Sequence, residues 1–163
     1  ICNYLSKLYE KGDFKSGMKI FIVPSSFYDF FLFYAEDPVF LNPFNRLVYL
    51  KNGIDMNNSS LRLMLFEKLF SVELLSKMPV LSFISVPSWK IKGYSGYLLS
   101  ELWSFLPSDI CSINNSDLNY KSFENKLVVE YLITVKGYST DRIFNENMSY
   151  SYYLDEVKRY YCK

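Results

Sequence analysis

The segment 19–53 constrains the fold more than any other part of this chain. Its first apolar run, from Ile20 to Val23, is β-branched and aromatic and predicts a strand that Pro24 ends. The aromatic residues that follow recur at i, i+3, i+4 and i+7, which predicts a helix over about 26–36. These residues are Phe27, Phe30, Phe31 and Tyr34.

This helix has almost no polar side, so the sequence predicts that it is buried, with Phe30 and Phe31 in the core. A second strand is predicted from Leu47 to Leu50, and the turn dipeptide Asn52-Gly53 closes it. The predicted unit is therefore strand, buried helix, strand, and the rest of the chain has to cover it.

The segment from Leu61 to Ser76 has two interpretations. As a helix, its charged residues scatter around the wheel and leave no clean apolar face. As strands, its leucines alternate with other residues, and strands are the favoured interpretation. The other segments are predicted to be extended chain over 78–88, a loop over 93–96, a helix over about 97–106, a polar loop over 108–122, a strand over 127–135 and a half-exposed helix near 155–159.

These elements predict an α+β fold with a small mixed or antiparallel sheet, the buried helix, the second helix and an extended C-terminal tail. A length of 163 residues is typical of one domain. The predicted organisation is a single α+β domain over 1–135 and a partner-wrapping tail over 136–163.

The absence of histidine excludes several kinds of site within this chain, namely a Ser-His-Asp triad, a Cys-His pair, a histidine-ligated zinc and a histidine proton shuttle. Cys2, Cys111 and Cys162 are far apart and show no metal-ligand spacing, so they are predicted to be ordinary thiols. The sequence therefore predicts no catalytic residues, no cofactor and no metal.

Charge and hydropathy restrict the partners. The net charge of +1, from 18 basic and 17 acidic residues, makes a nucleic-acid partner unlikely, because phosphate binding usually needs a basic excess. No uncharged apolar run approaches the ~20 residues of a membrane span, so any membrane contact is expected to be indirect.

Motifs with chemical meaning are weak. Lys92-Gly93-Tyr94-Ser95-Gly96 has the glycine spacing of a phosphate loop but lacks the Gly-Lys-Ser/Thr ending, and a turn with a helix cap is the favoured interpretation. Adjacent carboxylates on a helix do not face one site, so no catalytic pair is predicted. Lys51, Lys90 and Lys92 are expected to be solvated.

Aromatic residues make up 19% of the chain, more than one small core readily holds, which indicates a partner surface. Such a surface is predicted in the segment from Trp89 to Phe105, and the replacement of its Trp103 by alanine is expected to weaken assembly but leave the fold intact. The predicted partner-contact residues are Trp89, Tyr94, Tyr97, Trp103 and Phe105.

The order of features over about 19–106 resembles the thirty-kilodalton subunit family of the peripheral arm of NADH:quinone oxidoreductase, respiratory complex I. In place of that family's acidic helix this sequence has Glu101 to Phe105, without the arginine, the second acidic residue or the glycine. The matching features, in order, are Val23-Pro24, a helix from Ser26 to Glu36, Asp37-Pro38, Phe44 to Val48, Asp55, Pro79-Val80-Leu81-Ser82 and Trp89.

The resemblance implies a cofactor-free α+β scaffold with two more strands after Asp55. It implies a structural subunit that docks on the quinone-site and iron–sulfur subunits and supports NADH:ubiquinone electron transfer on the matrix side of the mitochondrial inner membrane. Its partners would be other protein subunits.

Two alternatives stay open. The run from Ile91 to Leu98 resembles a turn of the sixth large-subunit ribosomal protein, which implies a mitochondrial ribosomal protein that binds rRNA. A free-standing small-molecule-binding domain is the third interpretation, and no polar constellation supports it.

Overall fold

The computed structural model describes residues 19–24, 37–53, 55, 57–111 and 118–162. The chain divides into two compact units, Ile1–Ser85 and Val86–Lys163. The predicted boundary at residue 135 falls inside the second unit, and a partner-wrapping role for 136–163 stays a prediction.

A three-stranded sheet in the first unit confirms the α+β class. In the order β1-β3-β2, β3 pairs in parallel with β1 and antiparallel with β2, so the sheet is mixed. Val39, Val48 and Leu50 are buried. The strands predicted from Ile20 to Val23 and from Leu47 to Leu50 are confirmed by β1 and β3. The strands are β1 (Lys19–Val23), β2 (Val39–Asn42) and β3 (Leu47–Lys51).

The tight connection between β2 and β3 is fixed by two asparagine side chains. Asn42 Oδ1 accepts from the Phe44 N–H over 3.0 Å, and Asn45 Oδ1 accepts from the Leu47 N–H over 3.2 Å. Arg46 lies in the left-handed region at φ 57°. This geometry leaves Phe44 80% exposed at the tip of the hairpin. The predicted buried helix over 26–36, with Phe30 and Phe31, lies outside the described residues.

The favoured strand interpretation of Leu61 to Ser76 is wrong, because these residues lie in helix α1 (Ser59–Lys77). The Asn58 side chain caps this helix by accepting from the N–H groups of Ser60 and Leu61. Even Ser71 and Glu73 are buried, so the helix has no continuous polar face. Its apolar and polar residues therefore do not alternate with a clear helical period. The apolar core positions of α1 are Leu61, Leu65, Phe66, Leu69, Phe70, Val72, Leu74 and Leu75.

The prediction of extended chain over 78–88 is wrong for most of that segment. Helix α2 (Val80–Ile84) follows Pro79, and helix α3 (Ser88–Leu98) follows Pro87. Both prolines occupy the N-cap position, where a missing N–H removes no intrahelical hydrogen bond. The predicted loop over 93–96 is also wrong, because it lies inside α3.

Four further predictions are wrong, wholly or in part, in the second unit. The helix predicted over 97–106 is the end of α3 and a 3₁₀ turn, Ser100–Leu102, and residues 103–106 have no regular structure. The strand predicted over 127–135 lies largely in helix α4 (Leu118–Thr134), and the extended tail is largely helical. A second 3₁₀ turn, Pro107–Cys111, replaces part of the predicted loop over 108–122. The last helices are α5 (Thr140–Asn145) and α6 (Tyr150–Tyr161).

Helix α6 confirms the half-exposed helix predicted near 155–159. Its Val157 is buried while Tyr152 and Tyr160 are exposed. Between residues 57 and 162, the described part of the chain contains no strand. None of the helices described is both long enough and apolar enough to cross a membrane.

Candidate partner-contact segment and its buried lysine

Two glycines allow α3 to lie directly against α4. A Cβ atom at Gly93 would stand 2.6 Å from Val129 Cγ2 and would also overlap the Asn125 carbonyl oxygen. A Cβ atom at Gly96 would stand 3.0 Å from Lys126 Cβ. The two glycines with the spacing of a phosphate loop are therefore the positions at which two helices make a close contact.

Trp103 and Phe105 follow the end of α3 in the sequence, and both pack against α4. The Trp103 indole Nε1–H donates to the Gly96 carbonyl over 2.9 Å, and its ring centre lies 5.9 Å from that of Phe123. Phe105 lies 5.2 Å from Phe123 and meets Tyr120 edge-on at 6.0 Å. Both predicted contact residues are half-buried and pack within their own unit.

Tyr94 and Tyr97 form a second, separate aromatic group. Their ring centres lie 6.3 Å apart, and Tyr94 meets Phe144 of α5 edge-on at 5.8 Å. The Thr140 hydroxyl donates to Tyr94 OH over 3.3 Å.

Trp89 packs elsewhere, 5.5 Å from the ring of Tyr150 in α6. Like the other four predicted contact residues, it is half-buried. The five residues therefore do not share one exposed patch, and their contact with a partner stays a prediction.

Lys90 is the residue that the sequence interpretation missed. The sequence predicts a solvated side chain at this position, yet Lys90 is only 1% exposed. Its Nζ donates to the Glu146 carbonyl oxygen over 2.6 Å and lies 5.8 Å from the Trp89 ring centre. Burial lowers the pKa of Lys90, and the nearby Glu146 carboxylate opposes that effect.

The lysine joins the first turn of α3 to the connection that follows α5. A buried amine of lowered pKa is the starting point of lysine nucleophiles, but the Lys90 amine is engaged in a structural hydrogen bond. Lys90 and Gly93 are three residues apart and share the buried face of α3. A helical interpretation of 88–98 would have predicted the burial of Lys90, whereas the two glycines favoured the interpretation as a loop.

Three buried polar atoms in the described part of the second unit have no hydrogen-bond partner there, namely Ser95 Oγ, Asn125 Oδ1 and Tyr150 OH. Burial, followed by the charges of Glu124 and Tyr120, raises the pKa of Tyr150. The Lys121 ammonium lies 4.9 Å from the Tyr150 ring centre. These atoms are on three different helices, α3, α4 and α6.

The prediction of ordinary thiols is wrong for two of the three cysteines. Cys111 and Cys162 form a disulfide that joins the 3₁₀ turn Pro107–Cys111 to the end of α6, across 51 positions of sequence. Cys2 lies outside the described residues. The spacing of the cysteines could not reveal this pair, because the two sulfur atoms meet only through the tertiary fold.

The described ranges contain no group of three or more histidine, cysteine, aspartate or glutamate side chains placed to hold a metal ion. Comparisons of the chain with protein-family models, with curated proteins and with solved structures found no match.

Proposed function

We propose that this chain is a non-catalytic structural subunit of a larger protein assembly. The observation that carries the proposal is helix α2, whose residues from Val80 to Ile84 are apolar except for one serine and include no buried residue. Leu81 is 82% exposed and Ile84 is 61% exposed. Grouped exposed apolar side chains of this kind are typical of protein–protein interfaces.

Phe44 gives independent support within the same unit. It is large, apolar and exposed, and the side chains of Asn42 and Asn45 accept main-chain hydrogen bonds within its hairpin turn. A rigid aromatic side chain loses little conformational freedom when a partner buries it, which favours aromatic residues as binding anchors.

We propose the peripheral arm of respiratory complex I as the assembly, on the resemblance over residues 19–106. Strands β1 and β3 lie where the resemblance requires strands, and β1 ends at Val23-Pro24. The two further strands that the resemblance implies after Asp55 are absent from the described residues, where α1 to α3 follow instead. The support for this particular assembly therefore comes mainly from the first unit.

The proposed location is the matrix side of the mitochondrial inner membrane, with protein subunits as the direct partners. The Cys111–Cys162 disulfide weighs against a reducing compartment, because disulfides are rare where thiol reductants are maintained. Whether these two cysteines are bonded or free in the isolated assembly therefore bears directly on the proposed location.

The ribosomal alternative depends on the resemblance of residues 91–98 to a turn. Residues 91–98 belong to α3, and both glycines of the resembling run are buried against α4 or its neighbours rather than forming a turn.

The test is gentle isolation of the tagged chain from mitochondria of cells that express it, followed by native electrophoresis and mass spectrometry. We expect co-migration with NADH:quinone oxidoreductase subunits, and we expect Leu81→Ser with Ile84→Ser to reduce it. Ser82→Ala is the matched control, because Ser82 is exposed on the same helix.

Migration of the wild-type chain as a free monomer would contradict the structural-subunit proposal. Co-migration with a different set of proteins would retain that proposal and reject complex I. Unchanged assembly of the double serine variant would reject α2 as the contact.

A further inference from the structure

The turn after β3 holds the side chain of Asn52 against the peptide nitrogen of the next residue. The Gly53 N–H donates to Asn52 Oδ1 over 2.9 Å. Asn52 is itself fixed at the end of the sheet, because its N–H donates to the Val23 carbonyl over 2.9 Å. The side-chain amide is therefore held beside the one main-chain nitrogen that can attack it.

The approach to that nitrogen is open on the side of the Gly53 Cα. Gly53 has φ +81°, and apart from its own atoms and those of its two chain neighbours no atom lies within 4 Å of the place where a Cβ would stand. A residue with a side chain would be strained in this conformation, so glycine allows both the turn and the open approach. Asn52 and Gly53 are both exposed to solvent, which supplies base and water.

We propose that Asn52 is a site of spontaneous deamidation, an inference that does not depend on the proposed function. The Gly53 nitrogen loses its proton to solvent base and attacks Asn52 Cγ, so that a new N–C bond closes a five-membered imide. The Cγ–Nδ2 bond breaks, and Nδ2 takes up a proton and leaves as ammonia. Water then opens the imide at either carbonyl and gives aspartate or isoaspartate.

Asn58 provides the contrast within the same unit. It is also exposed and is also followed by a small residue, Ser59. Its Oδ1 instead accepts from the N–H groups of Ser60, over 2.9 Å, and Leu61, over 3.2 Å. The capping geometry of α1 directs this amide to later nitrogens and away from its own neighbour, so we expect Asn58 to be stable.

The modification changes the charge and the path of the chain at one point. Conversion of Asn52 adds one carboxylate to the 17 acidic residues, which then equal the 18 basic residues, so the net charge falls from +1 to zero. Isoaspartate also adds one carbon atom to the main chain where β3 ends. The hydrogen bond from the Asn52 N–H to Val23 precedes this point, and we expect the sheet to survive.

The experiment incubates the full-length purified chain in mildly acidic and mildly alkaline buffer, with peptide mapping by mass spectrometry over time. We expect a gain of about one dalton at residue 52, accompanied by a mixture of aspartate and isoaspartate, before any gain at Asn58. The rate should rise with pH, because the attacking nitrogen has to lose a proton.

Asn52→Gln is the matched variant. Glutamine keeps a neutral amide but would have to close a larger ring, so we expect the signal at residue 52 to disappear. Asn52→Asp supplies the charge marker for isoelectric focusing. Conversion at Asn52 that is no faster than at Asn58, or that is independent of pH, would overturn the proposal.

Discussion

The Lys90 ammonium and the Glu146 carbonyl oxygen are joined by a hydrogen bond of 2.6 Å across 56 positions of sequence. The contact ties the start of α3 to the connection between α5 and α6. Since Glu146 Oε1 also accepts from Arg142 Nε over 2.9 Å, one residue receives two cations through different oxygen atoms. The lysine thus stabilises the second unit by joining two segments that are distant in the sequence.

The first prediction concerns the pH dependence of this contact. Burial lowers the pKa of Lys90 below its ordinary 10.5, so between the two values the unfolded chain binds more protons than the folded chain. The Lys90 contribution to the free energy of unfolding should therefore rise with pH in that window, by up to about 1.4 kcal/mol per pH unit. Denaturant melts of wild type and Lys90→Met should diverge accordingly.

Lys92→Met is the control for that experiment, because Lys92 is exposed on the same helix. Its stability should keep a constant offset from that of the wild type. Parallel curves for Lys90→Met and wild type over the alkaline range would show that Lys90 is not titrating in a buried site.

The second prediction concerns the contact between α3 and α4. Gly93→Ala gains about 0.5–1 kcal/mol of helix propensity. The added methyl group, however, would overlap Val129 and the main chain of Asn125, and overpacking of this kind costs about 1–3 kcal/mol. We expect a net loss of stability in denaturant melts, whereas Lys92→Ala should stay within about 0.5 kcal/mol of wild type. A stabilised Gly93→Ala variant would show that the helices are farther apart.

The third prediction concerns the disulfide. Loop-closure entropy over the 51 positions between Cys111 and Cys162 corresponds to about 4 kcal/mol of stabilisation. The variant with both cysteines replaced by serine should lose stability of this order under non-reducing conditions. Reductant should destabilise the wild type but leave the double variant unchanged. Equal melting of the wild type with and without reductant would contradict the bond.

The fourth prediction concerns Trp103. Its indole N–H donates to the Gly96 carbonyl, so Trp103→Phe should cost about 0.5–1.5 kcal/mol through the lost hydrogen bond. Trp103→Ala should cost more, because the contact with Phe123 is lost as well. The intramolecular contacts lead us to expect this loss in place of an intact fold.

Differential scanning calorimetry of the isolated chain measures both Trp103 variants. Trp89→Phe serves as the aromatic control, since Trp89 packs on Tyr150 at a different place in the same unit. Unchanged stability of Trp103→Ala would support the partner-facing interpretation of the segment.

Strands β1 and β3 could be predicted because their signals are local. The run from Ile20 to Val23 has strand residues with a proline directly after it, and Asn52-Gly53 is a turn dipeptide in the structure as in the sequence. Such signals depend on neighbouring residues alone, so tertiary packing has little opportunity to override them.

Helices α1 and α4 could not be predicted by their periodicity. In α4 every residue from Phe123 to Val129 is buried, including Glu124, Asn125 and Lys126, so polar residues do not mark a solvent face. Length was the better criterion, because unbroken runs of 17 to 19 residues exceed ordinary strands. The cap at Asn58 was a second local signal for α1.

The contacts within the candidate partner-contact segment could not be predicted either, because a helix was again missed. The spacing of Gly93 and Gly96 predicts a turn with a helix cap, whereas in the structure these glycines lie within α3 and allow a neighbouring helix to approach. With α3 assigned as a loop, neither the burial of Lys90 nor the contact of Trp103 with Gly96 could be inferred. The aromatic excess was observed correctly, but composition does not specify which rings meet.

The bond between Cys111 and Cys162 also makes the last third of the chain a closed covalent ring. A single peptide-bond cleavage between these residues would yield two fragments that stay attached and separate on a denaturing gel only after reduction. A cleavage before Cys111 would give two fragments that this bond does not join, and they would separate on the same gel without reduction. The gel with and without reductant therefore reports on which side of Cys111 a protease has cut.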